Sequence, residues 1–83
     1  MAVRGYVLIE AEVGYARHVG DAVTALKHPS ADITGVDTVT GPYDVIVQLE
    51  AEDLDKLGTA ITEGIQSIEG VERTTTCLAV RLS

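Results

Sequence analysis

Apolar positions in this chain recur with two rhythms, runs of adjacent apolar residues and stripes spaced by three or four, and the switching between them predicts the elements. Ala2 to Ala11 carries Val3, Tyr6, Val7, Leu8 and Ile9 between charged residues. Its length and β-branching predict a strand apolar on both faces, with Val3, Val7 and Ile9 on one and Tyr6 and Leu8 on the other. From Gly14 to about His28, Ala16, Val19, Val23 and Leu26 fall on one helical stripe. Arg17, Asp21, Thr24 and Lys27 take the opposite face, with Arg17 and Asp21 at i,i+4 spacing for an ion pair. Pro29 ends that helix, because the residue before a proline is pushed out of the α region.

Ile33 to Thr40 reads as a half-polar strand suited to a sheet edge, and Gly35 inside it predicts a bulge or bend. Gly41-Pro42-Tyr43-Asp44 then forms a corner. Gly41 tolerates a positive φ, and Pro42 fixes φ at about −65° as a turn requires. Val45 to Leu49 is another strand apolar on both faces. Glu52 and Asp53 place carboxylates where they cap the free N–H groups of a second helix. Leu54, Leu57, Ile61, Ile65 and Ile68 mark its stripe, the helix running to about Ser67, and Gly58 and Gly64 within it predict close packing against the sheet. Gly70 predicts a left-handed stop. Val71 to Leu82 reads as the last strand, with Leu78, Val80 and Leu82 on one face and Thr75, Cys77 and Ala79 on the other.

The order is therefore β-α-β-β-α-β, a single α+β domain over residues 1–83. Such an order predicts a ferredoxin-like βαββαβ plait, a four-stranded antiparallel sheet with two helices on one face. The residues are 46% hydrophobic but only 4% aromatic, so the core has to be built from Val, Ile, Leu and Ala. Helices cover only one face of this sheet. An apolar second face on so small a domain predicts self-association, sheet against sheet.

Charge narrows the partners. Thirteen acids against six bases give a net charge of −7, which repels phosphate backbones, and no basic stripe is present, so direct nucleic-acid binding is not expected. Cys77 is the single cysteine, which rules out an internal disulfide and fits a reducing compartment. No basic-then-apolar signal pattern opens the chain, and no apolar run approaches the roughly 20 residues of a membrane helix. The expectation is a soluble, cytoplasmic chain without a membrane partner.

Candidate chemistry is sparse. Cys77 in an apolar strand reads as an inert, buried thiol. His18 lies on the polar helix face and His28 at a helix end, without the spacing of a zinc site. The acidic run Glu50, Glu52, Asp53 and Asp55 lacks the alternating ligands and central glycine of a calcium loop. No catalytic triad, phosphate loop or CxxC is present, so no metal, cofactor or catalytic residue is expected. The corner is different. Turn chemistry accounts for Gly41 and Pro42, but Tyr43 and Asp44 stand near the rim of an apolar sheet. They read either as a tight turn with a solvated acid or as a polar clamp for a small ligand with an amino group.

Three stretches taken together resemble a known family. They are Tyr6-Val7-Leu8-Ile9-Glu10, Thr40-Gly41-Pro42-Tyr43-Asp44-Val45, and Ile65-Gln66-Ser67-Ile68-Glu69-Gly70-Val71-Glu72-Arg73-Thr74 with Thr76. Nearly the whole chain resembles the effector-binding domain of the Lrp/AsnC transcription regulators, also called the RAM domain (regulation of amino acid metabolism). The resemblance implies the same plait, a face-to-face dimer assembling into a higher oligomer, and an amino acid or similar small effector bound between dimers near the corner. Carried over, Gly41 and Asp44 belong to the pocket, with Tyr43 beside them. Asp44 would take the ligand ammonium and turn N–H groups its carboxylate, Pro42 offering no donor. Thr74 and Thr76 would add hydroxyl contacts, or else simply fill a strand as β-branched residues. The family's helix-turn-helix is missing because residue 2 already enters the first strand, so the expectation is a stand-alone version without operator binding.

Two functional classes stand side by side here. One is an amino-acid-binding, oligomerising regulatory module, with a full-length Lrp/AsnC-type regulator as a possible partner to modulate or co-assemble with. The other is a small dimeric α+β barrel enzyme, such as a cofactor-free monooxygenase. An enzyme needs a base of tuned pKa in a deep cleft. Only His18 and Asp44 offer one, and the sequence pairs neither with a second group. The binding module is the expectation, and the protein is not expected to be an enzyme.

Overall fold

Continuous apolar runs place two strands at the centre of the sheet, where both faces are screened from water. In a computed structural model described over residues 2–80, these are β1 (Val3–Ala11) and β3 (Val45–Ala51). They pair antiparallel, with Val7 opposite Val47 and Ile9 opposite Val45, and all four side chains are fully buried. β2 (Asp32–Thr38) lies outside β3, and β4 (Val71–Leu78) outside β1, giving the order β2-β3-β1-β4. The half-polar β2 is thus an edge strand, and its register slips between Ile33 and Gly35, where the glycine predicts a bulge.

Two helices close one face. From α1 (Ala16–Ala25) come Val19 and Val23; from α2 (Leu54–Thr59) and the π-helical segment that continues it (Ala60–Ile65) come Leu57, Ile61 and Ile65. These pack on Val7, Ile9, Val45, Val47 and Leu49 in one aliphatic cluster, and no polar side chain is buried among the described residues. Each such side chain contributes roughly 1.5–3 kcal/mol by leaving water. Asp53 caps α2 by accepting from the Lys56 N–H at 2.8 Å, the role predicted for the acids ahead of that helix. α1 packs chiefly over β2 and β3, and α2 over β3 and β1. β4 is left without helical cover.

Several expectations are corrected. α1 begins at Ala16 rather than Gly14, because Glu12 to Tyr15 close a turn in which Gly14 has φ +86°. It ends at Ala25 rather than His28, because Leu26 is extended and His28 bridges back to Ala31 around Pro29. The second helix stops at Ile65, where the Gln66 N–H donates to the Ile61 carbonyl at 2.8 Å and closes a wide turn. Gly58 meets no atom within 4 Å, and Gly64 packs on Leu26 and His28 rather than on the sheet. Gly70 (φ +96°) belongs to the turn entering β4, five residues past Ile65, with the Tyr15 ring lying against it. β4 ends at Leu78, Val80 is 77% exposed, and Leu82 lies outside the described residues. Arg17 and Asp21 do not pair; the ion pairs among the described residues are His28–Glu63, Lys56–Glu52 and Arg73–Glu10.

The outer face is also less apolar than the strand runs predict. Tyr6, Leu8 and Ile46 form a half-buried apolar centre, with Gln48, Thr75 and Cys77 beside them. Arg4, Glu10, Glu50 and Arg73 supply charges at its ends. Cys77 is exposed, not buried, because its edge strand has no layer over either face.

The glycines give a paired test. A Cβ on Gly70 would stand 2.5 Å from Tyr15 Cδ2 in a backbone conformation that L-residues resist, so Gly70→Ala should cost about 1–3 kcal/mol. Gly58→Ala adds a methyl to open space in a helix and should stabilise by about 0.4–1 kcal/mol. Urea denaturation measures both, and an unchanged midpoint for Gly70→Ala would contradict the Tyr15 packing.

Candidate functional site

A strand that runs past the start of its neighbour leaves a backbone N–H without a ladder partner, and something must satisfy it. At the end of β1 the ladder with β3 stops at Ile9 opposite Val45, two residues short of Ala11, and the Asp44 carboxylate meets the need. Its Oδ2 accepts from the Ala11 N–H at 2.8 Å. Asp44 is held by its backbone as well, donating its N–H to the Ile9 carbonyl at 2.8 Å and accepting from the Val39 N–H at 2.9 Å. It is a half-buried anchor and not a freely solvated acid. Its second oxygen accepts no hydrogen bond among the described residues, so half of the carboxylate is free for other chemistry.

The rest of the corner stands beside it. Gly41 has φ +127°, with open space around it, and Pro42 is exposed. Tyr43 is half-buried. Another backbone bond, from the Glu12 N–H to the Gly70 carbonyl at 2.7 Å, draws the β1–α1 turn to the turn before β4. Three connections thereby gather at one end of the sheet, with Asp44 fastening the middle one.

The threonines lie elsewhere. Thr74 and Thr76 stand opposite Ile9 and Val7 in the β1–β4 ladder, on the face that carries the helices. No helix reaches over β4, so Thr74 is half-buried and Thr76 exposed. Thr74 Oγ1 accepts a hydrogen bond from Gln66 Nε2 at 2.8 Å. Asp44 stands just ahead of β3 and turns its carboxylate to the end of β1, at the Ala11 N–H. With β1 between β3 and β4, the threonines and the corner are two strand spacings apart, about 10 Å. One chain therefore brings Gly41, Tyr43 and Asp44 together and holds Thr74 and Thr76 apart from them.

Other candidates have structural roles. His18 is exposed and edge-on to the Tyr15 ring at 6.0 Å. His28 accepts from the Ser30 N–H through Nδ1 at 3.1 Å and lies 3.3 Å from Glu63 through Nε2, tying the end of α1 to the π-helical segment. No group of three metal-ligating side chains occurs among the described residues. Clefts of about 390, 360 and 560 Å³ open at the other end of the sheet, around Ala2 to Arg4, Pro29 to Ile33 and Glu50 to Lys56, and none is lined by the corner or the two threonines. Sequence reasoning missed Gln66 as a partner of Thr74, since an α-helical count gives no sign of the wider turn that precedes it.

Known proteins share this fold. A crystal structure of TTHA0845 from Thermus thermophilus superposes with a TM-score of 0.83 and 37% identity, covering 98% of this chain and 96% of that one. Two HTH-type transcriptional regulators, PYRAB01370 of Pyrococcus abyssi and PH0140 of Pyrococcus horikoshii, are 32% and 29% identical over 73 residues, or 88% of this chain. The chain spans 44% of the length of these two relatives. Residues 5–82 match the Lrp/AsnC ligand binding domain, a stretch that runs from the first strand through the Asp44 corner and past Thr76, and the chain belongs to that family.

Proposed function

We propose that this domain binds an amino acid or a similar small effector at a seam between copies of itself, with Gly41, Tyr43, Asp44, Thr74 and Thr76 forming the site. The ligand-binding family to which it belongs serves transcription regulators, which favours a regulatory module over an enzyme. The observation that carries the reading is the half-used carboxylate of Asp44, fixed by Ala11 and open on its other oxygen. An amino acid presents an ammonium and a carboxylate. The open oxygen takes the ammonium in a charge-assisted hydrogen bond, and N–H groups of the corner take the carboxylate.

The distances favour assembly. Threonines about 10 Å from the corner complete the same site when a second copy brings its own β4 to the corner. The apolar centre of Tyr6, Leu8 and Ile46 on the outer face favours such self-association. Among proteins of this fold, NMB0573 of Neisseria meningitidis (16% identity, TM-score 0.76) is described as a complex with L-Met. In this reading the assembly works in the cytoplasm, and a full-length Lrp/AsnC-type regulator carrying the same domain is the natural class of partner.

Sedimentation should show a dimer or larger species at micromolar concentration, and a stable monomer would count against the seam. A thermal-shift screen of the amino acids should find a stabilising ligand. Asp44→Asn retains an oxygen for the Ala11 N–H but loses the charge, so it should weaken that ligand about tenfold or more with little loss of fold. Calorimetry showing unchanged affinity would remove Asp44 from the site.

A further inference from the structure

The geometry points to Gln66 as a positioning residue of the effector site, one that aims the Thr74 hydroxyl proton at the carboxylate of the ligand. This inference rests on the effector-binding reading above and adds a direction to it: ammonium at Asp44, carboxylate between the N–H groups of the corner and the Thr74 hydroxyl of a neighbouring copy. The argument begins with the helix. Ala60 to Ile65 form a π-helical segment, and the Gln66 N–H closes its last wide turn on the Ile61 carbonyl at 2.8 Å. Such turns are rare and cluster at functional sites, because the extra residue in the turn re-aims the side chains that follow. Here Gln66 is the residue that follows, and its amide crosses to β4.

That crossing is singular. The Gln66–Thr74 bond is the one side-chain hydrogen bond joining the helical layer to β4 among the described residues. It does not shield a buried core, since Gln66 is exposed and β4 has no helical cover. Its consequence is chemical. An amide nitrogen only donates, so Thr74 Oγ1 is the acceptor and its own proton must point away from Gln66. A hydroxyl that accepts one hydrogen bond becomes a stronger donor in the next, which suits an anionic acceptor. Thr76, two residues along the same open face, extends the row of hydroxyls.

The test uses calorimetry on the intact assembly, with each standard L-amino acid that binds and with its primary amide, which keeps the ammonium but lacks the carboxylate. Gln66→Glu offers only acceptors, captures the Thr74 proton and adds a negative charge beside it. It should lower affinity for the amino acid about tenfold and change affinity for the amide much less. Gln66→Leu removes the donor without adding charge and should cost the amino acid severalfold, again sparing the amide. In a Thr74→Val background, Gln66→Leu should have no further effect. Equal losses for acid and amide, or a Gln66→Leu effect that persists without the hydroxyl, would reduce Gln66 to a structural role and overturn the inference. Unchanged affinity in both Gln66 variants beside a loss in Asp44→Asn would overturn it and leave the effector-binding reading intact. If no amino acid binds the unsubstituted protein, both fall together.

Discussion

The close seam between β1 and β3 governs the molecule. With no Phe or Trp, and with its three tyrosines outside the buried core, the chain fills its interior without large rings, so its layers have to approach closely on small aliphatic side chains. Val7, Ile9, Val45 and Val47 are buried completely because the helices sit directly on them. The approach is close enough that a Cβ on Gly20 of α1 would stand 2.6 Å from Thr38 Oγ1, and one on Gly5 of β1 would stand 3.2 Å from Leu57 Cδ2. An aliphatic core of this kind holds the sheet rigid, and only its ends and its outermost strand are left to do chemistry.

Asp44 shows how one such end is put to use. β1 runs on past the start of β3 and leaves the Ala11 N–H for a carboxylate to accept, so the acid fixes the corner before any ligand is considered. The two sequence readings of that corner, a turn acid and a clamp, are therefore not exclusive. The turn role occupies one oxygen and defines the orientation of the other. A preorganised acceptor loses less side-chain entropy on binding than a freely rotating one, and the Ala11 bond preorganises this carboxylate.

Legibility in the sequence followed the strength of the local signal. Strands β1 and β3 and the stripe of α1 were readable because burial imposes a strict period on Val7, Val47, Val19 and Val23. The bulge at Gly35 and the cap at Asp53 were readable because both rest on local backbone chemistry. What escaped was set by tertiary neighbours. Whether Cys77 is covered depends on how far the helices reach across the sheet, which no window on β4 reveals. Gly64 and Gly58 look alike in sequence, yet one faces Leu26 and the other faces open space. The corner residues could be named from their resemblance to a family, whereas the separation of Thr74 from Asp44 emerged only from the strand order.

That separation is also an energetic statement about β4. A strand exposed over most of both faces and along its outer edge forgoes burial that a small domain can ill spare, and uncovered edges invite unwanted pairing. Thr74, Thr75 and Thr76 temper the second problem: their methyl groups suit a strand, while their hydroxyls remain wet. Covering the strand with a longer helix would have buried it more fully. Instead the helical layer narrows to a single amide reaching the strand from Gln66. An open row of hydroxyls next to a core this tightly packed makes sense if its covering comes from outside the chain, as ligand and neighbouring copy together.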